Sequence, residues 1–316
     1  MMENIAILCG GNSDEKIISI DSAQNIYENI DKNKYNAFKI IHRDNLIFEV
    51  LHNKKKIQVK NKDFSFLIDN NKYKIDKVFM MIHGDPGENG NLCDFFDDLN
   101  IPYTNSNKEI SNITFDKYLC NSLLKKKGFD VPSSFIYSDG CKINFPCIIK
   151  PTCSGSSLGI SKVNHTNEVT SALEKAKKSG NKIMIEEFLE GREFTCAVYR
   201  SKEKLISLPI TEIISFNDFF DYDAKYNNKS LEVTPAKIPK SIANNIKSLS
   251  KEIYAKLSMR GIIRIDCILY NKKPFIIEIN TVPGFSKKSI VPQMLKSENI
   301  KICDFISEQL DGLDSN

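Results

Sequence analysis

The 316-residue chain is predicted to be an α/β protein, because short apolar strands alternate along it with small-residue loops and helical segments. Residues 4–8 form an apolar run that ends at Gly10 and Gly11, and residues 77–84 form another that ends in a glycine-rich loop. The chain is long enough for two or three parts with separate cores. We therefore expect a parallel-sheet domain first, followed by parts of a different texture.

The N-terminal elements follow from these runs. A helix is predicted over residues 16–30 after the first strand, and residues 96–104 should form a helix that leads into a short strand. Repeated strand–loop–helix units favour a parallel sheet, which binds ligands beyond the carboxyl ends of its strands. We predict a Rossmann-like domain over residues 1–112, with a possible ligand near loops 10–11 and 84–90.

Two further parts are predicted, over residues 113–189 and 190–316. The first is expected to begin with a helix at 114–129, which ends at Gly128, followed by two strands joined by a small-residue loop at 145–163. A helix at 167–178 and a strand at 182–189 should complete it. The second is expected to begin with strands at 193–199 and 207–214, a polar loop at 215–235 and a helix at 240–258. Strands at 261–270 and 274–280 and a C-terminal helix should follow.

Composition excludes several classes of protein. A net charge of +4 and a charged fraction of 27% indicate no strong field toward nucleic acid or membrane. The nine cysteines lack zinc-site spacing and favour reduced thiols in a cytoplasmic protein. The N-terminus is predicted to be a strand, not a signal peptide, and no apolar run approaches the ~20 residues of a membrane span.

Two C-terminal strands carry polar side chains on one face. Residues two apart in a strand point to the same side, so Glu278 and Asn280 share a face, as do Arg264 and Asp266. If the strands pair, Asp266, Glu278 and Asn280 converge as oxygen ligands, which suit Mg²⁺ better than zinc. The alternative is a set of structural salt bridges at a sheet edge.

A loop of small residues follows Lys150, which ends an apolar strand. In residues 154–159, glycines and serines let backbone N–H groups approach an anion, and a neighbouring lysine fits phosphate binding. No Walker A motif is present. A flexible surface hairpin is the alternative.

Three weaker patterns complete the candidates. Glu186, Glu187 and Glu193 surround a turn after an apolar strand; they can bind an adenine amine and ribose hydroxyls, or be surface carboxylates. Glu15 can hold a substrate ammonium, while His83 can face a carboxylate or cap a loop. The aromatic, charged segment "FFDYDAKYNNK" suits either a lid or a disordered surface loop.

Taken together, these segments resemble the D-alanine–D-alanine ligases of the ATP-grasp superfamily, over about residues 4–310. The matching motifs occur in the family's order: "GGNSDE", "HGDPGENG", "KPTCSGSSLG", "EFT", "DYDAKY", "RID" and "EINTVPG" with a downstream serine. The resemblance implies an ATP-grasp fold. It also implies ATP-dependent joining of two D-alanines through a D-alanyl phosphate, for peptidoglycan precursor synthesis in the cytoplasm.

The resemblance implies a role for each matching residue. The nucleotide would be held by Lys117, Lys150, Glu186, Phe188, Leu189, Glu193 and, from the lid, Lys225. Two Mg²⁺ ions, or Mn²⁺ in their place, would be held by Asp266, Glu278 and Asn280. The first D-alanine and the lid would be ordered by Glu15, Ser156 and Tyr226, the oxyanion by Arg264 and the Gly284 N–H, and the carboxylate of the second D-alanine by Ser289.

Some features depart from the family or leave the reaction open. Asn89, Cys93 and Ser154 stand where many members have Asp, Gln and Glu, which affects the surroundings of the first D-alanine. Tyr226 favours D-alanine over D-lactate as acceptor. The alternatives are an ATP-grasp ligase of another amino or hydroxy acid, a non-catalytic nucleotide-binding homologue, and, least favoured, a structural or nucleic-acid-binding protein. A homodimer is expected from relatives.

Overall fold

The structure is a computed structural model that describes residues 2–155, 158–215 and 230–315, apart from the side chains of Ser230 and Ser315. Its strands are β1 Glu3–Gly10, β2 Tyr35–His42, β3 Phe48–His52, β4 Lys55–Gln58, β5 Ser65–Ile68, β6 Asn71–Lys74, β7 Lys77–Met80, β8 Ser134–Ile136, β9 Cys147–Pro151, β10 Ser161–Val163, β11 Ile183–Glu187, β12 Arg192–Ser201, β13 Lys204–Ser207, β14 Thr211–Ser215, β15 Ser230–Val233, β16 Ile263–Tyr270 and β17 Lys273–Asn280.

Helices cover and connect the sheets. They are α1 Lys16–Asn29, α2 Asn91–Asp98, α3 Lys108–Phe115, α4 Lys117–Lys126, α5 Val169–Lys177, α6 Lys240–Lys256, α7 Ile290–Ser297 and α8 Ile302–Asp311, with 3₁₀ turns at Thr166–Glu168 and Gly312–Ser315. Across the described ranges, no helix combines the length and apolar composition that crossing a bilayer requires. The strands and helices together confirm the predicted mixed α/β architecture.

The first sheet has the order β4-β3-β2-β1-β7, and β1 lies parallel to both β2 and β7. The prediction of a parallel sheet is right for these three strands but wrong for the edge, where β3 and β4 run antiparallel. Pattern-based prediction assigns no element to residues 31–76, yet β2 to β6 lie there. Hairpin turns at Asn45-Leu46, Asn53-Lys54 and Asp69-Asn70 join β2 to β3, β3 to β4 and β5 to β6, and these residues all have positive φ, as type I′ turns require.

The two remaining main sheets are antiparallel. The order β10-β9-β11-β8 forms one, and β15-β14-β12-β16-β17, with β13 on β12, forms the other. The strands predicted at 145–163 are present as β9 and β10. Part of the predicted 215–235 loop is instead β15, which pairs with β14.

Two predicted helices are each divided in the structure. The helix expected over 114–129 is two helices, because the Asp116 carboxylate accepts hydrogen bonds from the backbone N–H groups of Tyr118 and Leu119 and caps α4. This cap places Lys117 in the first turn of α4. The C-terminal helix is also two helices, α7 and α8, with Asn299 at positive φ between them.

The apolar cores link distant parts of the chain. The core of the first sheet includes Phe285 and Phe305, whose stacked rings lie 5.6 Å apart and which come from the C-terminal segment. A second core joins α4 and α6 to β12, β16 and β17, and a third lies between α5 and the four-stranded sheet. The C-terminal segment is therefore packed on the N-terminal sheet. The divisions at 112/113 and 189/190 stay predictions.

Candidate functional site

A single cleft collects residues from all three predicted parts. Among the described residues it is lined by eleven of the predicted set, namely Glu15, Lys117, Lys150, Glu186, Phe188, Leu189, Glu193, Arg264, Asp266, Glu278 and Asn280. Gly284 and Ser289 lie next to it, since Ile290 and Thr281 are part of its wall. Ser156, Lys225 and Tyr226 fall outside the described residues.

Strands β16 and β17 carry the polar face expected from the sequence. Asp266 lies directly opposite Glu278, and Arg264 lies opposite Asn280. The Arg264 Nε and Nη2 atoms donate to the two Asp266 carboxylate oxygens at 2.9 and 2.8 Å, and Asn280 Nδ2 donates to Asp266 Oδ2 at 3.0 Å. Burial disfavours the charge on Arg264, yet Asp266 and Glu278 raise the pKa of its guanidinium above the ordinary value.

Lys117 links this face to the small-residue loop. Its Nζ lies 3.0 Å from Glu278 Oε1 and donates to the Ser154 carbonyl at 2.7 Å. Burial lowers the pKa of Lys117, but the Glu278 carboxylate outweighs it and raises the pKa above the usual value. A permanent positive charge therefore lies between the loop and the strand pair.

A second lysine–carboxylate pair closes the other end of the cleft. Lys150 Nζ lies 2.6 Å from Glu186 Oε1, with both side chains about 5–6% exposed. Asn121 Nδ2 donates to Glu186 Oε2 at 3.1 Å, while Asn121 Oδ1 has no hydrogen-bond partner among the described residues. The alternative reading of Glu186 as a surface carboxylate is wrong, because only 4% of this residue is exposed.

Apolar groups line the cleft next to this pair. Phe188 and Leu189 follow β11, and the Lys162 Nζ lies 4.1 Å from the centre of the Phe188 ring. Ile148 and Ile268 add aliphatic surface. An apolar slot beside the backbone that follows β11 is suited to a planar heteroaromatic base.

The N-terminal domain reaches the cleft through Glu15. A Cβ atom on Gly155 would lie 2.4 Å from Glu15 Oε2, so glycine lets the loop approach this carboxylate without displacing it. His83 contacts a backbone carbonyl and a serine side chain: its Nδ1 lies 2.7 Å from the Val282 carbonyl, and its Nε2 lies 3.3 Å from Ser22 Oγ.

Glu88 is a site residue that the sequence reasoning missed, although it lies inside the motif "HGDPGENG". Its carboxylate accepts hydrogen bonds from the N–H groups of Gly84 at 2.7 Å and Val282 at 3.2 Å. Burial, followed by the charge of Glu15, raises the pKa of Glu88 to about 7. The signal available in the sequence was the glutamate that follows Gly87 in this motif.

Ser289 directly precedes α7 and lies beside the chain turn at Gly284. A Cβ on Gly284 would lie 3.0 Å from Ser289 Oγ, and the hydroxyls of Ser286 and Ser289 are 2.8 Å apart. Glu232 on β15, also missed by the sequence reasoning, lines the cleft near this turn. No motif marks Glu232, because its position depends on how β15 pairs with β14.

The donor set can be tested against a divalent cation. Across the described ranges, no cluster of three or more His, Cys, Asp and Glu residues could hold a metal alone. Asp266, Glu278 and the Asn280 amide offer two carboxylates and one amide oxygen on one face, all hard donors. This set fits Mg²⁺ that takes its remaining ligands from water and phosphate, and it does not fit zinc.

Comparison with known proteins covers nearly the whole chain. The families described as D-ala D-ala ligase N-terminus and D-ala D-ala ligase C-terminus match residues 4–106 and 122–311. D-alanine–D-alanine ligases of Phocaeicola vulgatus and Bacteroides fragilis are 39% and 38% identical to it, with 99% of each chain covered.

Two solved structures that share the fold are each more than 25% identical in sequence to this chain. The VanG D-Ala:D-Ser ligase of Enterococcus faecalis is 28% identical with a TM-score of 0.87, over 98% of this chain and 99% of that one. The Bacillus anthracis D-alanine–D-alanine ligase complexed with ATP is 26% identical with a TM-score of 0.78, over 100% and 99%. On these matches the chain belongs to the D-alanine–D-alanine ligase family, and its fold is that of the ATP-grasp ligases.

Proposed function

We propose that this protein joins two D-alanines into D-alanyl-D-alanine with ATP, releasing ADP and phosphate, and so supplies a peptidoglycan precursor. The observation that carries the proposal is the single cleft in which an apolar base slot, two buried lysines and the Arg264–Asp266–Asn280 face follow one another. Nucleotide, phosphate and carboxylate substrates need these surfaces in that order. Membership of the family supports the same conclusion.

ATP would bind with its adenine and ribose framed by Glu186, Phe188, Leu189 and Glu193. Lys150 and Lys117 would then meet the phosphate groups, since both ammonium groups lie on the cleft wall beside the loop that begins at Ser154. Small residues in that loop allow close backbone contacts to phosphate oxygens. We propose Lys225 as a further phosphate contact on the basis of its motif.

Asp266, Glu278 and Asn280 would hold two divalent cations, with Mg²⁺ proposed first and Mn²⁺ as a substitute. When bound, such a cation neutralises charge on the transferring phosphate. Lys117 and Arg264 already occupy part of this charge-neutralising role, because each holds a carboxylate of the same face. The chain itself therefore keeps the carboxylates oriented.

The reaction would proceed in two steps. The carboxylate of the first D-alanine attacks the γ-phosphorus, ADP leaves, and a D-alanyl phosphate forms; Glu15 would hold the ammonium of this substrate. The amine of the second D-alanine then attacks the acyl carbon and phosphate leaves. Arg264 and the Gly284 N–H would stabilise the oxyanion, and Ser289 would bind the second carboxylate. Ser156 and Tyr226 are proposed to complete the substrate contacts and exclude water.

The test is phosphate release from ATP and Mg²⁺ with D-alanine, with L-alanine and D-lactate as parallel controls and the product identified by mass. We expect release only with D-alanine and a dipeptide mass. ATP binding without D-alanine-dependent release would overturn the proposal in favour of another acceptor or a non-catalytic homologue.

D-serine is a second candidate acceptor, because the similar Enterococcus faecalis structure is a D-Ala:D-Ser ligase. Competition between D-alanine and D-serine at equal concentration, read by the mass of the mixed dipeptide, separates the two acceptors.

We also propose a homodimer in the cytoplasm that needs neither nucleic acid nor membrane. Size measurement by light scattering tests the dimer.

A further inference from the structure

A hydrogen bond between Gln293 and Glu232 joins α7 to β15 beside the cleft, and none of the roles above uses either side chain. Glu232 lines the cleft, and Gln293 lies one helical turn after Ser289. Ser289, the residue proposed to bind the second carboxylate, is the extended residue that precedes α7, and Gln293 lies in the first turn of that helix.

Gln293 holds the backbone at the start of α7. Its Nε2 donates both to Glu232 Oε2 at 2.9 Å and to the Lys288 carbonyl at 3.0 Å, which belongs to the peptide group directly before Ser289. The backbone N–H of Gln293 in turn approaches the Ser289 carbonyl at 3.5 Å. The side-chain amide thus restrains the peptide group before Ser289, and the backbone N–H of the same residue contacts the carbonyl of Ser289 itself.

Glu232 connects this restraint to the oxyanion site. It is partly exposed to the cleft, and Arg264 lines the same cleft. Through Gln293, Glu232 therefore links the helix that follows Ser289 to the cleft wall that carries the guanidinium proposed to face the acyl group. The distance between these two groups decides whether an acceptor amine reaches the acyl carbon.

We propose that Glu232 and Gln293 form a positioning pair that sets the geometry of the acceptor pocket and so determines how tightly the second amino acid binds. The inference rests on the proposed function, in which Ser289 binds the second carboxylate. Neither residue touches a reacting atom. Both act through Ser289, and within the described part of the chain the hydrogen bonds of the pair reach none of the groups proposed to bind the nucleotide or the first D-alanine.

The experiment measures steady-state phosphate release with three Michaelis constants, for ATP, the first D-alanine and the second D-alanine. We expect Gln293→Met and Glu232→Ala to raise the KM of the second D-alanine about tenfold, the effect of one lost hydrogen bond of ordinary strength. The other two constants should stay within about twofold. Glu232→Gln keeps an acceptor oxygen for Gln293 and should restore most of the affinity.

Gln309→Met is the matched control, because Gln309 also caps a backbone carbonyl, that of Arg200 at 3.3 Å, and is not part of the cleft wall. It should change thermal stability alone. If all three constants rise together, or if the KM of the second D-alanine is unchanged in Gln293→Met, the positioning role is overturned while the proposed function stands. A wild-type enzyme without D-alanine-dependent phosphate release overturns both.

Discussion

Two lysine–carboxylate pairs lie in the same cleft and differ in how much solvent reaches the carboxylate. Glu186, paired with Lys150, is enclosed at 5% side-chain exposure, whereas Glu278, paired with Lys117, is 33% exposed toward the cleft. An enclosed pair depends on its partner to compensate a buried charge, and an accessible carboxylate can exchange its partner for a ligand. The first pair should therefore matter most for stability and the second for chemistry.

The largest effect is expected from breaking the enclosed pair. Glu186→Leu leaves Lys150 buried without its carboxylate, which should lower the free energy of unfolding by about 3–5 kcal/mol. Glu278→Gln should cost less, because solvent reaches this position and the Lys117 ammonium keeps its hydrogen bond to the Ser154 carbonyl. Urea unfolding of the ligand-free protein measures both variants.

The double variant Lys150→Met with Glu186→Leu is the control, because it removes both buried charges and should recover much of the stability. Equal destabilisation by Glu186→Leu and Glu278→Gln would show that the difference in exposure has no energetic consequence.

Arg264→Ala addresses the accessible face, where Arg264 holds Asp266 through two hydrogen bonds. Loss of an oxyanion donor should lower kcat by about 10²–10³. Arg264→Lys keeps a charge but lacks the two-pronged geometry, so it should recover only part of the rate. Phosphate release at saturating ATP and D-alanine gives kcat, and a near-normal value for Arg264→Ala would contradict the assignment.

Gly155→Ala tests how closely the loop beside Lys117 must approach the N-terminal domain. The added Cβ would lie 2.4 Å from Glu15 Oε2, so the loop or the carboxylate must move. Because a displacement of about 1 Å can cost up to ~10²-fold, we expect kcat/KM for the first D-alanine to fall about tenfold. Gly312→Ala, where a Cβ meets no atom within 4 Å, is the control and should leave activity unchanged.

Some features of the cleft could be predicted from the sequence and others could not. The polar face of β16 and β17 was predictable, because alternation along a strand fixes which side chains share a side. The Lys150–Glu186 contact was not, since it depends on β9 and β11 being neighbours in the sheet. Residues 31–76 also escaped prediction, and two hairpin turns within them use Asn53-Lys54 and Asp69-Asn70 where glycine is the usual signal.

The smallest expected effect concerns Glu88, which lies near both Glu15 and Glu278. Its pKa is raised from 4.5 to about 7 in the folded protein, chiefly by burial. Between these two values the folded state binds a proton that the unfolded state has lost, so the free energy of unfolding should fall as pH rises through this interval and level off above it.

Urea unfolding of the ligand-free protein at several pH values should therefore show a negative slope that is shallower in Glu88→Gln. Since the variant also alters the hydrogen bonds to Gly84 and Val282, the slopes and not the absolute stabilities are compared. Parallel slopes for the two proteins would mean that Glu88 is ionised in the folded state throughout, and that the N–H groups of Gly84 and Val282 outweigh its burial.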